Sequence, residues 1–209
     1  VKEPHKHSPL AETPSSILQL DKGRLVVVSG PSGVGKGTVC KALLAAHPEF
    51  HLSVSATTRS PRTGEVEGQH YHFLTHAQFE ARIAEGAFLE YATYNGQHYG
   101  TLAEPTLAAL AAGKVVVLEI DPQGARQVKA NFPQAMTVFL RPPSMAVLHE
   151  RLLTRGTETP EAIAKRLAIA EQELAEASDF DVQLVNATIP ATVTELISFL
   201  NPVTDMPLE

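Results

Sequence analysis

From Arg24 to Leu200 the chain alternates short β-branched runs with longer stretches whose apolar residues recur three or four positions apart. The first pattern fits strands and the second amphipathic helices. Strands are predicted over Arg24–Ser29, Leu52–Ala56, Lys114–Ile120, Ala135–Leu140 and Val182–Val185. Helices are predicted over Lys36–Ala46, Ala103–Ala112, Gly124–Ala130, Ser144–Thr154, Pro160–Ala177 and Ala191–Leu200. His47-Pro48 stops the first helix and Gly113 the second, because proline disfavours a helical residue before it and glycine accepts a left-handed cap. The Lys114–Ile120 run does not alternate, which marks a strand buried on both faces. Strand–helix alternation of this kind gives an α/β fold, a parallel sheet with helices on both faces and ligands at the carboxyl ends of its strands.

Residues 57–100 break the rhythm. They carry five glycines, all four tyrosines and short alternating pieces such as Gln69–Phe73. A small β-rich insertion with one helix, Ala77–Glu85, is expected there. The division predicted is a tail over 1–22, a domain over 23–200 and a tail over 201–209. Within the domain, the core is 23–56, 101–141 and 168–200, the insertion 57–100, and a lid 142–167.

Composition narrows the classes. In 209 residues, 44% hydrophobic and 19% charged, there is enough apolar material for one buried core. A net charge of −6 argues against general nucleic-acid affinity. No apolar run is long enough to span a bilayer. The single cysteine, Cys40, can form no internal disulfide. The absence of a secretory or transit pattern in the first residues adds to the expectation of a cytoplasmic protein.

The strand Arg24–Ser29 runs straight into Gly30-Pro31-Ser32-Gly33-Val34-Gly35-Lys36-Gly37-Thr38. Three glycines let successive N–H groups face one concavity, a helix N-terminus adds its dipole, and Lys36 adds a full charge for the β- and γ-phosphates. The spacing fits a phosphate-binding loop, so this chain is expected to bind a nucleoside triphosphate. Gly37 stands where the pattern wants Ser or Thr, so the hydroxyl for Mg²⁺ is missing unless Thr38 supplies it. A second signal is Thr57–Glu65, where Arg59 and Arg62 lie three apart among hydroxyls. Two planar guanidinium forks can clamp one phosphate from two directions.

Taken together, Ser29–Thr38, Ser53–Glu65, His70–Phe73, Phe88–Tyr91, Tyr99–Thr101, Leu118–Gly124 and Arg151–Thr159 resemble the guanylate kinase family in order and spacing, over about Arg24 to Leu200. The resemblance implies transfer of the γ-phosphoryl of ATP to GMP, with Mg²⁺ as cofactor and dGMP left open as an acceptor. It implies that Arg59 and Arg62, with Glu65, Tyr71 and Tyr99, form the GMP phosphate site, and that Ser55, Glu90 and Thr101 face the base. Guanine offers N1–H and its 2-amino group side by side, two donors one carboxylate can accept, whereas adenine would leave Glu90 unpaired. Asp121 would touch GMP or hold Mg²⁺ through water, with Thr38 a further metal candidate. Glu119 stands where the family usually has aspartate. Lys36, Arg59, Arg151, Arg155 and Arg166 would be the cations at the reacting phosphates. A kinase for another small acceptor would be indifferent to guanine. A non-catalytic phosphopeptide-binding relative would have a degraded loop, and this loop is intact.

Overall fold

The computed structural model describes residues 23–94, 96–154 and 159–200. The first strand, β1 (Arg24–Ser29), lies at the centre of a five-stranded parallel sheet. Around it are β2 (His51–Leu52), β7 (Val115–Glu119), β8 (Met136–Arg141) and β9 (Val182–Val185), in the order β2-β7-β1-β8-β9. Flanked by β7 and β8, β1 sends alternate side chains to opposite faces, so a β-branched run without polar interruptions is what this position requires. Leu25 and Val27 join Val116, Leu118, Phe139 and Val128 on one face. Val26 and Val28 join Val39, Cys40, Leu43 and Leu196 on the other. Each such fully buried side chain stabilises the fold by roughly 1.5–3 kcal/mol relative to an exposed one.

Helix α1 (Lys36–Ala46) and α7 (Ile189–Leu200) cover the second face. Helices α3 (Ala103–Ala111) and α4 (Pro122–Asn131) cover the first. The sequence starts α4 at Gly124, but the helix begins at Pro122 because Asp121 caps it, its carboxylate accepting the Gly124 N–H at 2.8 Å. A proline just inside an aspartate cap is a favoured opening, with φ already helical and no N–H to satisfy.

The predicted strand Leu52–Ala56 is two strands in two sheets. β2 pairs with β7, and the Ser53 N–H still donates to Val117 O at 3.0 Å. The chain then crosses over, and β3 (Ser55–Thr57) enters a four-stranded sheet of order β4-β3-β6-β5. Its other members are β4 (His72–Phe73), β5 (Phe88–Tyr94) and β6 (Gln97–Leu102). This is the β-rich insertion, and its sheet reaches beyond 57–100 to Ser55 and Leu102. Helix α2 (His76–Ala84) starts at a Thr75/Gln78 capping box and stacks Phe79 on Phe88, ring centroids 4.4 Å apart.

Helix α5 (Met145–Thr154) buries Leu148 and Leu152. Helix α6 (Pro160–Ala175) runs unbroken past 167, so the expected lid and core share one rod, which ends in a 3₁₀ turn over Glu176–Asp179. The expected tails and Arg155 lie outside the described residues. Among those described, no helix is long and apolar enough to cross a membrane.

Candidate functional site

Between β1 and α1 the backbone turns at Gly30 (φ 137°) and Gly35 (φ 102°). A Cβ at Gly30 would sit 2.4 Å from the Leu140 carbonyl oxygen, so no side chain fits. Lys36 Nζ donates to the carbonyls of Gly30 and Pro31, folding the ammonium back over its own loop. Burial lowers its pKa, and the carboxylates of Glu119, Glu173 and Asp121 oppose that shift. Lys36, Glu119 and Asp121 therefore form one charged cluster at the carboxyl ends of β1 and β7.

The loop is tied down from behind. Arg151 Nη1 and Asn186 Nδ2 both donate to Val34 O, at 2.9 and 2.8 Å, and Arg151 Nη2 donates to Asn186 O at 2.9 Å. Thr192 completes the link through its hydroxyl on Asn186 Oδ1. The sequence places Arg151 among cations closing over a triphosphate. Its guanidinium is engaged with two backbone carbonyls, those of Val34 and Asn186, and so braces the loop from behind. A shallow crevice opens beside it, lined by Gly33, Gly35, Thr38, Thr154 and Asn186.

On the other side of the loop a second crevice is lined by Lys36, Ser55, Tyr71, Glu90, Tyr99 and Asp121. Strand register assembles its floor, since Ser55 pairs with Thr101 across β3 and β6, and Glu90 pairs with Thr101 across β5 and β6. Thr101 Oγ1 donates to Glu90 Oε1 at 2.7 Å. Glu90 is 4% exposed, and burial pushes its pKa up to about 7 despite the Thr101 hydrogen bond. Its other oxygen lies against α4, where a Cβ at Gly124 would come within 2.4 Å of Oε2. Only a glycine leaves this carboxylate its place.

The rim carries the arginines. Arg59 Nη2 meets Glu65 Oε1 at 2.8 Å, Arg59 Nη1 donates to Ser60 O at 2.7 Å, and the guanidinium lies 5.3 Å from the Tyr71 ring centre. Glu65 Oε2 accepts the Arg62 N–H at 2.7 Å. Both Glu65 oxygens thus serve the arginine loop, and the carboxylate orients Arg59. Tyr99 packs edge-on to Tyr71, and Arg62 is exposed. Of the two metal candidates, Asp121 lines this crevice and Thr38 the one beside Arg151.

Sequence reasoning missed three residues. Gly124 closes the Leu118–Gly124 motif, but its contact with Glu90, like the place of Asn186, is made through space and no local pattern announces it. Glu173, on α6 two turns after the half-buried Arg166, lines the Glu90 crevice with one oxygen buried and unpartnered. Burial pushes its pKa up to about 7, with Lys36 acting against that shift. A lone glutamate in a charged helical stretch carries no sequence signal.

The family model for guanylate kinase matches residues 22–202. The chain is 58% identical over 170 residues to the guanylate kinase of Gloeobacter violaceus, covering 81% of this chain and 83% of that protein. It is 51% identical over 179 residues to the guanylate kinase of a Synechocystis strain, covering 86% and 94%. Among solved structures, the crystal structure of guanylate kinase from Anaplasma phagocytophilum superposes with a TM-score of 0.72 at 29% identity, over 86% of this chain and 85% of that one.

Proposed function

The chain belongs to the guanylate kinase family, and from that premise we propose that its two crevices hold ATP and GMP on either side of Lys36 for transfer of the γ-phosphoryl group between them. The observation that carries this reading is the buried Glu90–Thr101 pair set between the Arg59 rim and the Gly30–Lys36 loop. Glu90 accepts guanine N1–H and the 2-amino group, with Ser55 beside it on the same sheet. Arg59 and Arg62 take the GMP phosphate, helped by the hydroxyls of Tyr71 and Tyr99, while Glu65 holds Arg59 in place. On the other side, the loop N–H groups and the N-terminus of α1 receive the ATP phosphates, and the adenosine extends past Thr38 toward Asn186.

The acceptor is a phosphate oxygen already ionised near neutral pH, so no strong base is needed. The work is positioning two anions in line and neutralising the charge that spreads over the transferred group. Lys36 swings from the Gly30 and Pro31 carbonyls onto the phosphates, and Arg166 approaches from α6. Mg²⁺ supplies further neutralisation when bound with ATP. The residues fit it in donor type, since the carboxylates of Glu119 and Asp121 beside Lys36 are the hard oxygens this cation prefers. Walling the acceptor between two sheets keeps out water, the competing nucleophile. The free thiol of Cys40 supports a reducing compartment, the cytoplasm.

The test is ADP release from ATP and Mg²⁺ with GMP, AMP, CMP or UMP offered separately. Turnover with GMP far above the others is the expected result, and it is abolished in Lys36→Ala. Comparable turnover with all four acceptors would dismiss the guanine pocket.

A further inference from the structure

Two local departures of this chain meet in space. Residue 37 is glycine where a phosphate-binding loop carries a hydroxyl, and residue 119 is glutamate rather than aspartate. A Cβ built on Gly37 would lie 3.2 and 3.3 Å from the two carboxylate oxygens of Glu119 and 3.7 Å from its Cδ. The glutamate carboxylate thus fills the space beside residue 37 that a serine or threonine side chain would enter. It reaches there from the last residue of β7, which is in register with Val28 two positions before the loop. Glu119 and Lys36 line the same crevice, so the carboxylate lies beside the loop's lysine.

We propose that Gly37 and Glu119 act as one unit, in which Glu119 supplies from β7 the metal-facing oxygen that the missing hydroxyl of residue 37 would have supplied from α1. The proposal rests on the reading of the loop as the ATP site. Its logic is steric. Aspartate at 119 would be shorter by one carbon–carbon bond, roughly 1.5 Å, withdrawing from Gly37 and leaving room for a hydroxyl. Two self-consistent pairs follow, glycine with glutamate and serine with aspartate. Of the mixed pairs, serine with glutamate is crowded and glycine with aspartate leaves a gap. Mg²⁺ holds its ligands at about 2.0–2.1 Å in near-octahedral geometry, so a displacement of that size removes a ligand or its bridging water.

The experiment measures ADP affinity by calorimetry in EDTA and again with Mn²⁺, counting free Mn²⁺ by electron paramagnetic resonance. In EDTA the wild type and Glu119→Gln should both bind ADP, the variant equally or more tightly because a negative charge is gone. With metal present, Glu119→Gln should hold Mn²⁺ in the ADP complex roughly tenfold or more weakly. Gly37→Ser and Glu119→Asp should each weaken Mn²⁺. The double variant should bind it about fivefold or more above what the two single losses together predict. Wild-type Mn²⁺ affinity in Glu119→Gln, or independent losses in the double variant, would overturn the proposal. Failure of the wild type to bind ADP in EDTA would remove the ATP-site reading itself, and this proposal with it.

Discussion

At the scale of single residues, Glu90 sets stability against recognition. Its pKa is about 7 in the fold, raised by burial from an ordinary value of 4.5. The folded state therefore holds the proton more tightly than the unfolded one, and stability falls as pH rises from about 4.5 through about 7. Glu90→Gln removes that slope, so urea titrations should find the variant more stable than wild type at pH 8 by roughly 1–3 kcal/mol and no better at pH 4. The same variant should bind GMP roughly ten- to a hundredfold more weakly while ADP binding is kept. Wild-type GMP binding near pH 7 should also release roughly half a proton that the variant does not release, seen by repeating the calorimetry in buffers of different ionisation enthalpy. Gly124→Ala probes the same carboxylate from α4. Alanine favours a helix by about 1 kcal/mol, yet its Cβ would displace Glu90 Oε2. GMP KM should rise although the helix gains, and an unchanged KM would separate Gly124 from the base pocket.

At the scale of elements, what the sequence made legible was what is local. The strand Arg24–Ser29, the glycine turn and the helix Lys36–Ala46 are recognisable because period, turn chemistry and charge fall within one short stretch. The crossover at Ser53-Val54 was not recognisable, because an apolar run says nothing about which sheet supplies its hydrogen bonds. Arg151 shows both sides. Its position in the last turn of α5 follows from helical spacing, but its place beside Val34 is shared with Asn186, the residue just after β9 and far along the chain. The Arg151–Val34–Asn186–Thr192 link ties the loop to α5, to the end of β9 and to α7. Asn186→Ala should destabilise the protein by about 1–3 kcal/mol, the cost of leaving buried hydrogen-bonding groups unpaired. It should raise KM for ATP and leave KM for GMP near its original value, and equal rises would show that the link serves the whole fold rather than the loop.

For the whole molecule, the two walls of the crevice around Glu90 stand on different sheets. Glu119 ends β7 of the parallel sheet, with Lys36 opening α1 and Asp121 capping α4 beside it, and Ser55, Glu90 and Tyr99 lie on the mixed four-stranded sheet. The sheets are tied across α4 and β5 by a paired contact, in which Gln127 Nε2 donates to Tyr91 O at 2.8 Å and Gln127 Oε1 accepts the Tyr91 N–H at 3.2 Å. Substrates bridging both walls should draw them together, so the radius of gyration in X-ray scattering should fall with GMP and a non-hydrolysable ATP analogue present together. Cys40 gives the intact molecule an internal clock. Its sulfur is sealed under α1 against the sheet, and burial raises its thiol pKa far above the ordinary range. A thiol reagent can reach it only when α1 lifts away, so the labelling rate counts how often the native structure opens. A nucleotide that binds only the closed form at a hundred times its Kd should slow that count about a hundredfold, turning one sulfur atom into a gauge of how tightly the loop above it is held.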